Sequence, residues 1–142
     1  TMRVCVIDGR GGGLGCRLVS GLRKTLDLDC QILGLGTNLV AAEAMREAGA
    51  EQVWSGVETI ERIVPTVDVI VASLNMVLPG AMLGEVTPKL VRTILEAKAK
   101  KVLLPLNRVR VEIVGTEGRT MDMLIDECLS RVRVAVQATC QA

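Results

Sequence analysis

Apolar positions along this chain alternate between two periods, and each change of period predicts an element. Arg3-Val4-Cys5-Val6-Ile7-Asp8 is an almost continuous apolar run, as a buried strand requires. Beyond a glycine cluster, Leu14, Leu18, Leu22 and Leu26, with Val19, recur at helical spacing and define one face. Residues 30–35 predict a second strand, residues 38–48 an Ala-rich helix closed by Gly49, and Gln52, Val53 and Trp54 a short third strand. A short helix through Ile60, Ile63 and Val64 is expected to stop at Pro65.

Residues 67–74 are nearly all apolar, the pattern of a central strand covered on both faces. An irregular apolar connection with a Pro79-Gly80 turn follows over residues 75–85. Thr87 is placed to cap a helix with Pro88 at its first position, turning Leu90, Val91, Ile94 and Leu95 inward. Residues 101–104 predict a fifth strand ended by Pro105. From Arg108 to Val114 the pattern becomes strict alternation, which predicts a half-exposed edge strand. A turn over residues 115–118 leads to a last helix buried through Leu124, Ile125, Cys128, Leu129, Val132 and Val136.

Strands alternating with helices predict a single Rossmann-like α/β domain over residues 1–142, three layers deep with right-handed crossovers. The expected sheet is parallel in the order 3-2-1-4-5, with an added edge strand near Val111. Ligands of such sheets bind beyond the carboxyl ends of the strands, so the loops after Ile7, Leu35, Leu74 and Leu106 matter most.

The first of these loops holds five glycines in Gly9-Arg10-Gly11-Gly12-Gly13-Leu14-Gly15. A strand that breaks there and restarts as a helix points backbone N–H groups at one spot, which favours an anion such as a phosphate. The spacing is GxxxGxG through Gly9, Gly13 and Gly15; GxGxxG fails because Leu14 stands where its third glycine belongs. No Gly-Lys-Ser/Thr follows, so this is not a P-loop. A tight turn with close packing and no ligand would use the same residue type, although each glycine is entropically costly.

Asp8 at the loop entrance would repel a phosphate unless it accepts turn amides, its expected role. Arg10 and Arg17 are candidate phosphate contacts or solvated charges. Where an NAD site places an acid after the second strand, this chain has Gly36-Thr37-Asn38, which weakens the case for NAD(P) without removing it. Thr37 and Asn38 are candidate ligand contacts and equally candidate helix caps. Asn75, Asn107 and Arg108 are expected at strand ends facing the same cleft, the asparagines as orienting groups and Arg108 as an anion clamp, or equally as turn-forming asparagines and an edge-strand arginine. Cys16, in a helix's first turn, is a packing residue or a thiol acidified by the dipole. Glu85 is the carboxylate best placed for proton transfer.

Composition narrows the chemistry. The chain has 142 residues, no histidine and no tyrosine, which excludes Ser-His-Asp and Cys-His nucleophiles and the Tyr-Lys pair of short-chain dehydrogenases. Five cysteines without a CxxC spacing, and no histidine, argue against zinc and for reduced core thiols in a cytoplasmic protein. A net charge of +1 and one aromatic residue argue against nucleic-acid binding. No apolar stretch is long enough to cross a bilayer, no secretory leader is expected, and Thr1 before Met2 has the look of an expression remnant.

The segments VIDGRGGGLG, LGLGTN, MLGEVTP and LLPLNR together resemble an uncharacterised bacterial family of small Rossmann-like proteins, a domain of unknown function. The resemblance spans essentially the whole chain and implies a nucleotide-binding-type fold with no established activity. The positions it singles out are Asp8, Gly9, Gly11, Gly12, Gly13, Gly15, Gly36, Thr37, Asn38, Gly84, Glu85, Thr87, Pro88, Asn107 and Arg108. The family pattern has a cysteine where this chain has Val109, which argues against a catalytic thiol there.

The expected function is a binding module for a nucleotide-like or phosphorylated small molecule. Its cofactor is undetermined, with NAD(P) or another nucleotide as candidates. The alternatives are a small oxidoreductase or transferase completed by a partner, and a ligand-free oligomeric assembly or regulatory module. For the last, the apolar residues 76–79 and 81–83 are the expected interface, and a homo-oligomer is expected.

Overall fold

A computed structural model of the chain describes residues 1–106 and 110–141. Expectations placed on Asn107, Arg108 and Val109 fall outside the described residues. The elements run β1 (Arg3–Asp8), α1 (Gly13–Thr25), β2 (Gln31–Gly36), α2 (Leu39–Glu47), β3 (Gln52–Ser55), α3 (Val57–Ile63), β4 (Val69–Ser73), α4 (Pro88–Glu96), β5 (Lys100–Leu104) and α5 (Met121–Gln141). All strand pairings are parallel, in the order β3-β2-β1-β4-β5. This is the Rossmann-like arrangement the periodicity predicts, with the strand order reversing beside β1.

The two faces of the sheet carry separate cores, because successive side chains of a strand point in opposite directions. Val4, Val6, Val69 and Val71 pack against Leu18, Leu22, Met45 and Val132 of α1, α2 and α5. Cys5, Ile7, Ile70 and Ala72 pack against Ile60, Leu90 and Ile94 of α3 and α4. Every residue of β4 is buried, as its uninterrupted apolar run requires. Thr87 caps α4 by accepting the Leu90 N–H, with Pro88 in the first turn.

Three local expectations are corrected. The sixth strand does not form among the described residues: residues 110–118 are turns around a lone bridge at Val111. Arg110, Gly115 and Gly118 take positive φ, which breaks an extended run, and Val114 is almost wholly exposed. The third helix does end before Pro65, at Ile63, and the chain tightens into a 3-10 turn over Val64–Thr66, which tolerates the proline's missing donor. Leu95 faces solvent rather than the core. The apolar connection after β4 is not presented as an interface, because Met76 and Ala81 are buried and Val77, Leu78 and Met82 pack on the α3–α4 core. In that segment Pro79, Gly80, Leu83 and Gly84 are exposed, Leu83 being its exposed large apolar side chain. Among the described residues no helix is long and apolar enough to cross a membrane.

Candidate functional site

At the carboxyl end of β1 the helix α1 begins without a capping side chain of its own. Its N-cap residue is Gly12, at φ 73°, and no acidic residue lies in the first turn. Asp8, the last residue of β1, supplies the missing acceptor from below. One carboxylate oxygen takes the Gly9 N–H at 2.8 Å and the other takes the Gly15 N–H at 2.7 Å. A carboxylate in this position also opposes the positive end of the helix dipole. Burial pushes the Asp8 carboxyl above its ordinary pKa and the nearby Glu85 charge adds to this, while the Gly15 and Gly9 N–H groups work the other way.

The glycines divide into two sets. Gly9, Gly12 and Gly15 are buried and cannot carry a side chain. A Cβ on Gly9 would lie 2.6 Å from Thr37 Oγ1, one on Gly12 would lie 2.9 Å from Ala41 Cα, and one on Gly15 would lie 2.9 Å from Met45 Sδ. These three let β1, α1 and α2 approach closely. Gly11 and Gly13 are exposed, take no positive φ, and a Cβ on either would meet nothing within 4 Å. Packing gives no reason for them. Among the described residues, the N–H groups of Gly11, Gly13 and Leu14 have no protein partner. The Arg10 guanidinium makes no hydrogen bond there either.

The side of the loop facing β2 is closed by one network. Glu85, carried by the connection between β4 and α4, accepts from Thr37 Oγ1, from the Arg10 N–H at 3.0 Å and from Asn38 Nδ2 at 3.1 Å, all on one oxygen. Asn38 Nδ2 also donates to the Arg10 carbonyl at 3.0 Å, while its Oδ1 caps α2 by accepting the Ala41 N–H. Thr37 therefore does not cap α2; Asn38 does. The Thr37 hydroxyl holds the Glu85 carboxyl below its ordinary pKa, aided by the Arg10 N–H, the Asn38 amide and the Arg10 guanidinium, while partial burial opposes them. Glu85 is thus an ionised acceptor, so in proton transfer it would serve as a base rather than an acid.

The side facing β4 is different. Ser73, the last residue of β4, is 2% exposed and its hydroxyl has no partner. Val6 pairs with Val71, so the pleat turns Asp8 and Ser73, each two residues on, toward the same α1 face of the sheet. Asn75 follows in a 3-10 turn, and its Oδ1 is buried without a partner as well. Sequence reasoning reached Asn75 but missed Ser73. The available signal was a polar residue closing an otherwise apolar buried strand.

Two expected contributors are engaged elsewhere. Arg17 pairs with Asp122 of α5, and Cys16 donates to the Ala44 carbonyl at 3.1 Å. Desolvation, then the charges of Asp8 and Glu47, raise the Cys16 pKa, so the helix dipole does not make it a thiolate. Among the described residues no cluster of three His, Cys, Asp or Glu is arranged to hold a metal.

Some concavities of the molecule lie outside the loop. One of about 600 Å³ is lined by Val67, Asp68, Lys98 and Lys100 at the amino ends of β4 and β5. Another of about 480 Å³ runs between β5, residues 113–116 and α5. Neither meets the carboxyl ends of the central strands, where ligands of such sheets bind.

Residues 3–137 match the model of a domain of unknown function, DUF3842. Among curated proteins none matches the chain by sequence. In structure the chain is similar to a dodecameric FMN-dependent UbiX-like decarboxylase from Escherichia coli O157:H7. The TM-score is 0.50 at 14% identity, over 93% of this chain and 92% of that one. At that identity the likeness shows the fold.

Proposed function

The chain belongs to the DUF3842 family, a domain of unknown function, and from the geometry of its loop we propose that it binds a nucleotide-like or phosphorylated small molecule. The observation that carries this is the pair Gly11 and Gly13. They keep the Gly11, Gly13 and Leu14 N–H groups bare at the positive end of α1, where no packing contact and no backbone conformation demands a glycine. The free Arg10 side chain lies beside them and offsets the charge of Glu85. The FMN dependence of the fold neighbour supports a nucleotide-type ligand, since FMN presents a terminal phosphate of the kind bare amides at a helix start hold. It lends nothing to NAD(P).

The test separates binding from folding. Gly11→Ala/Gly13→Ala is expected to raise the unfolding free energy by about 1 kcal/mol, because alanine costs less entropy to order where the glycine φ is ordinary. The same variant is expected to lose the rise in Tm that millimolar inorganic phosphate or mononucleotide produces in the parent chain. A ligand at about ten times its Kd contributes about 1.4 kcal/mol, well within the reach of thermal-shift measurement. A variant that is less stable, or that keeps the full ligand shift, would defeat the proposal.

We also propose that the chain self-associates. Leu39 and Val40, directly after Asn38, and Leu83, two residues before Glu85, expose an apolar rim beside the network. The fold neighbour is dodecameric. Light scattering across a wide concentration range is expected to give a mass above one chain; a constant monomer mass would refute self-association.

A further inference from the structure

We infer that the site selects phosphate monoesters whose organic part lies over the end of β4, and that it refuses dinucleotides. This rests on the phosphate-site reading above and adds the class of ligand. A dinucleotide seated on a Gly loop of this fold sends its second nucleotide half across the carboxyl end of the strand next to β1, which here is β2. That space is filled. The position of a Gly9 Cβ lies 2.6 Å from Thr37 Oγ1, 2.7 Å from Met82 Sδ and 2.8 Å from Glu85 Oε1, so not even a methyl group fits between β1 and the network. The oxygen Glu85 turns toward β2 already serves three donors. A second phosphate there would meet an ionised carboxylate.

The segment that carries Glu85 is held in place on its own. The Val86 N–H donates to the Ala81 carbonyl, the Gly80 N–H to the Val86 carbonyl, and the Glu85 N–H to the Met82 carbonyl. Ala81 and Val86 are both buried beneath it. Opening the β2 side would therefore break the segment's own hydrogen bonds as well as the three that Glu85 accepts.

On the β4 side the balance is reversed. The buried hydroxyl of Ser73 and the buried Oδ1 of Asn75 have no partner, and buried polar groups are rarely left so. By strand parity Ser73 shares the α1 face with Asp8, whose carboxylate takes the Gly15 N–H in the first turn of α1. A monoester with its phosphate on Gly11, Gly13 and Leu14 would bring its organic part over these two groups. Asn75 Oδ1 only accepts and Ser73 Oγ does both, so the organic part must offer at least one N–H or O–H donor.

Isothermal titration of the parent chain and of Ser73→Ala with inorganic phosphate, ribose 5-phosphate, AMP, FMN, NAD⁺, NADP⁺ and FAD tests this. At least one monoester is expected to bind ten or more times tighter than any dinucleotide and than inorganic phosphate. Ser73→Ala is expected to weaken that monoester about tenfold, with an unliganded Tm no lower than the parent's, since the lost hydroxyl had no partner to leave behind. A dinucleotide that binds as tightly as the best monoester overturns the inference, as does unchanged monoester affinity in Ser73→Ala. If no compound binds, inorganic phosphate included, the phosphate site itself fails and the selectivity falls with it.

Discussion

Asp8→Ala is expected to lower the unfolding free energy by about 3 kcal/mol, a large share of the 5–15 kcal/mol typical of a domain. The carboxylate is 6% exposed and accepts two N–H groups, from Gly9 and Gly15, that are themselves buried. Alanine leaves both donors unpaired, at about 1–3 kcal/mol each. It also removes an anion from the start of α1, worth up to about 1 kcal/mol. Two donors at the lower end of their range and the full helix-start contribution sum to about 3 kcal/mol.

For a chain of this length the loss corresponds to a fall in Tm of roughly 12 °C. Asp8→Asn keeps one acceptor and should lose about half as much. The sign of the pH dependence follows from the raised pKa. The folded chain holds the Asp8 proton more tightly than the unfolded chain, so this group's contribution to stability is greatest below its unfolded pKa and declines as pH rises through the folded one. Chemical denaturation of the parent and both variants across that range measures all three effects. An Asp8→Ala chain within 1 kcal/mol of the parent would show that the loop amides find other partners.

Gly12→Ala is the second large effect, again about 3 kcal/mol, and it arises from geometry alone. The residue sits at φ 73°, where alanine carries roughly 1–2 kcal/mol of backbone strain. Its Cβ would also lie 2.9 Å from Ala41 Cα and 3.0 Å from the Ala41 carbonyl oxygen. Both are backbone atoms of α2, so no side chain can rotate away and the two helices must part, at about 1–3 kcal/mol more. Parting them pulls on Asn38, which caps α2 and binds Arg10 and Glu85, so the network on the β2 side should loosen too. Urea unfolding should give a midpoint shift equivalent to about 3 kcal/mol, against no loss in Gly11→Ala/Gly13→Ala. A single loop would then contain glycines of opposite sign, which a purely structural or purely ligand-binding origin for all five does not allow.

Much of the fold was legible in the chain because periodicity is a local property. The continuous apolar runs of β1 and β4, the four-residue spacing from Leu14 to Leu22, and the Thr87-Pro88 start of α4 each follow from residues within one element. The alternation after Pro105 failed as a predictor because a strand needs a partner edge as well as a pattern. In the described part of that segment, Arg110 and Gly115 turn the chain, and pairing goes no further than the bridge at Val111.

The site was legible only in outline. Asp8 as an acceptor of turn amides can be read from its place before the glycines, since both partners are close in sequence. Glu85 meets Arg10 and Thr37 across 75 and 48 residues, and nothing local marks that encounter. Ser73 looked like one more residue of a strand.

What the sequence determined by itself is therefore the order of elements, the parallel sheet and the position of a glycine-rich turn at its centre. Those follow from hydrophobic period and backbone freedom, which act over a few residues. Only the tertiary structure decided which glycines serve packing and which leave amides bare. It also decided that a carboxylate from a distant connection closes the β2 side while Ser73 and Asn75 keep buried, unpartnered polar atoms beside β4. These depend on distances between elements, and such distances are set when the two cores close over the sheet.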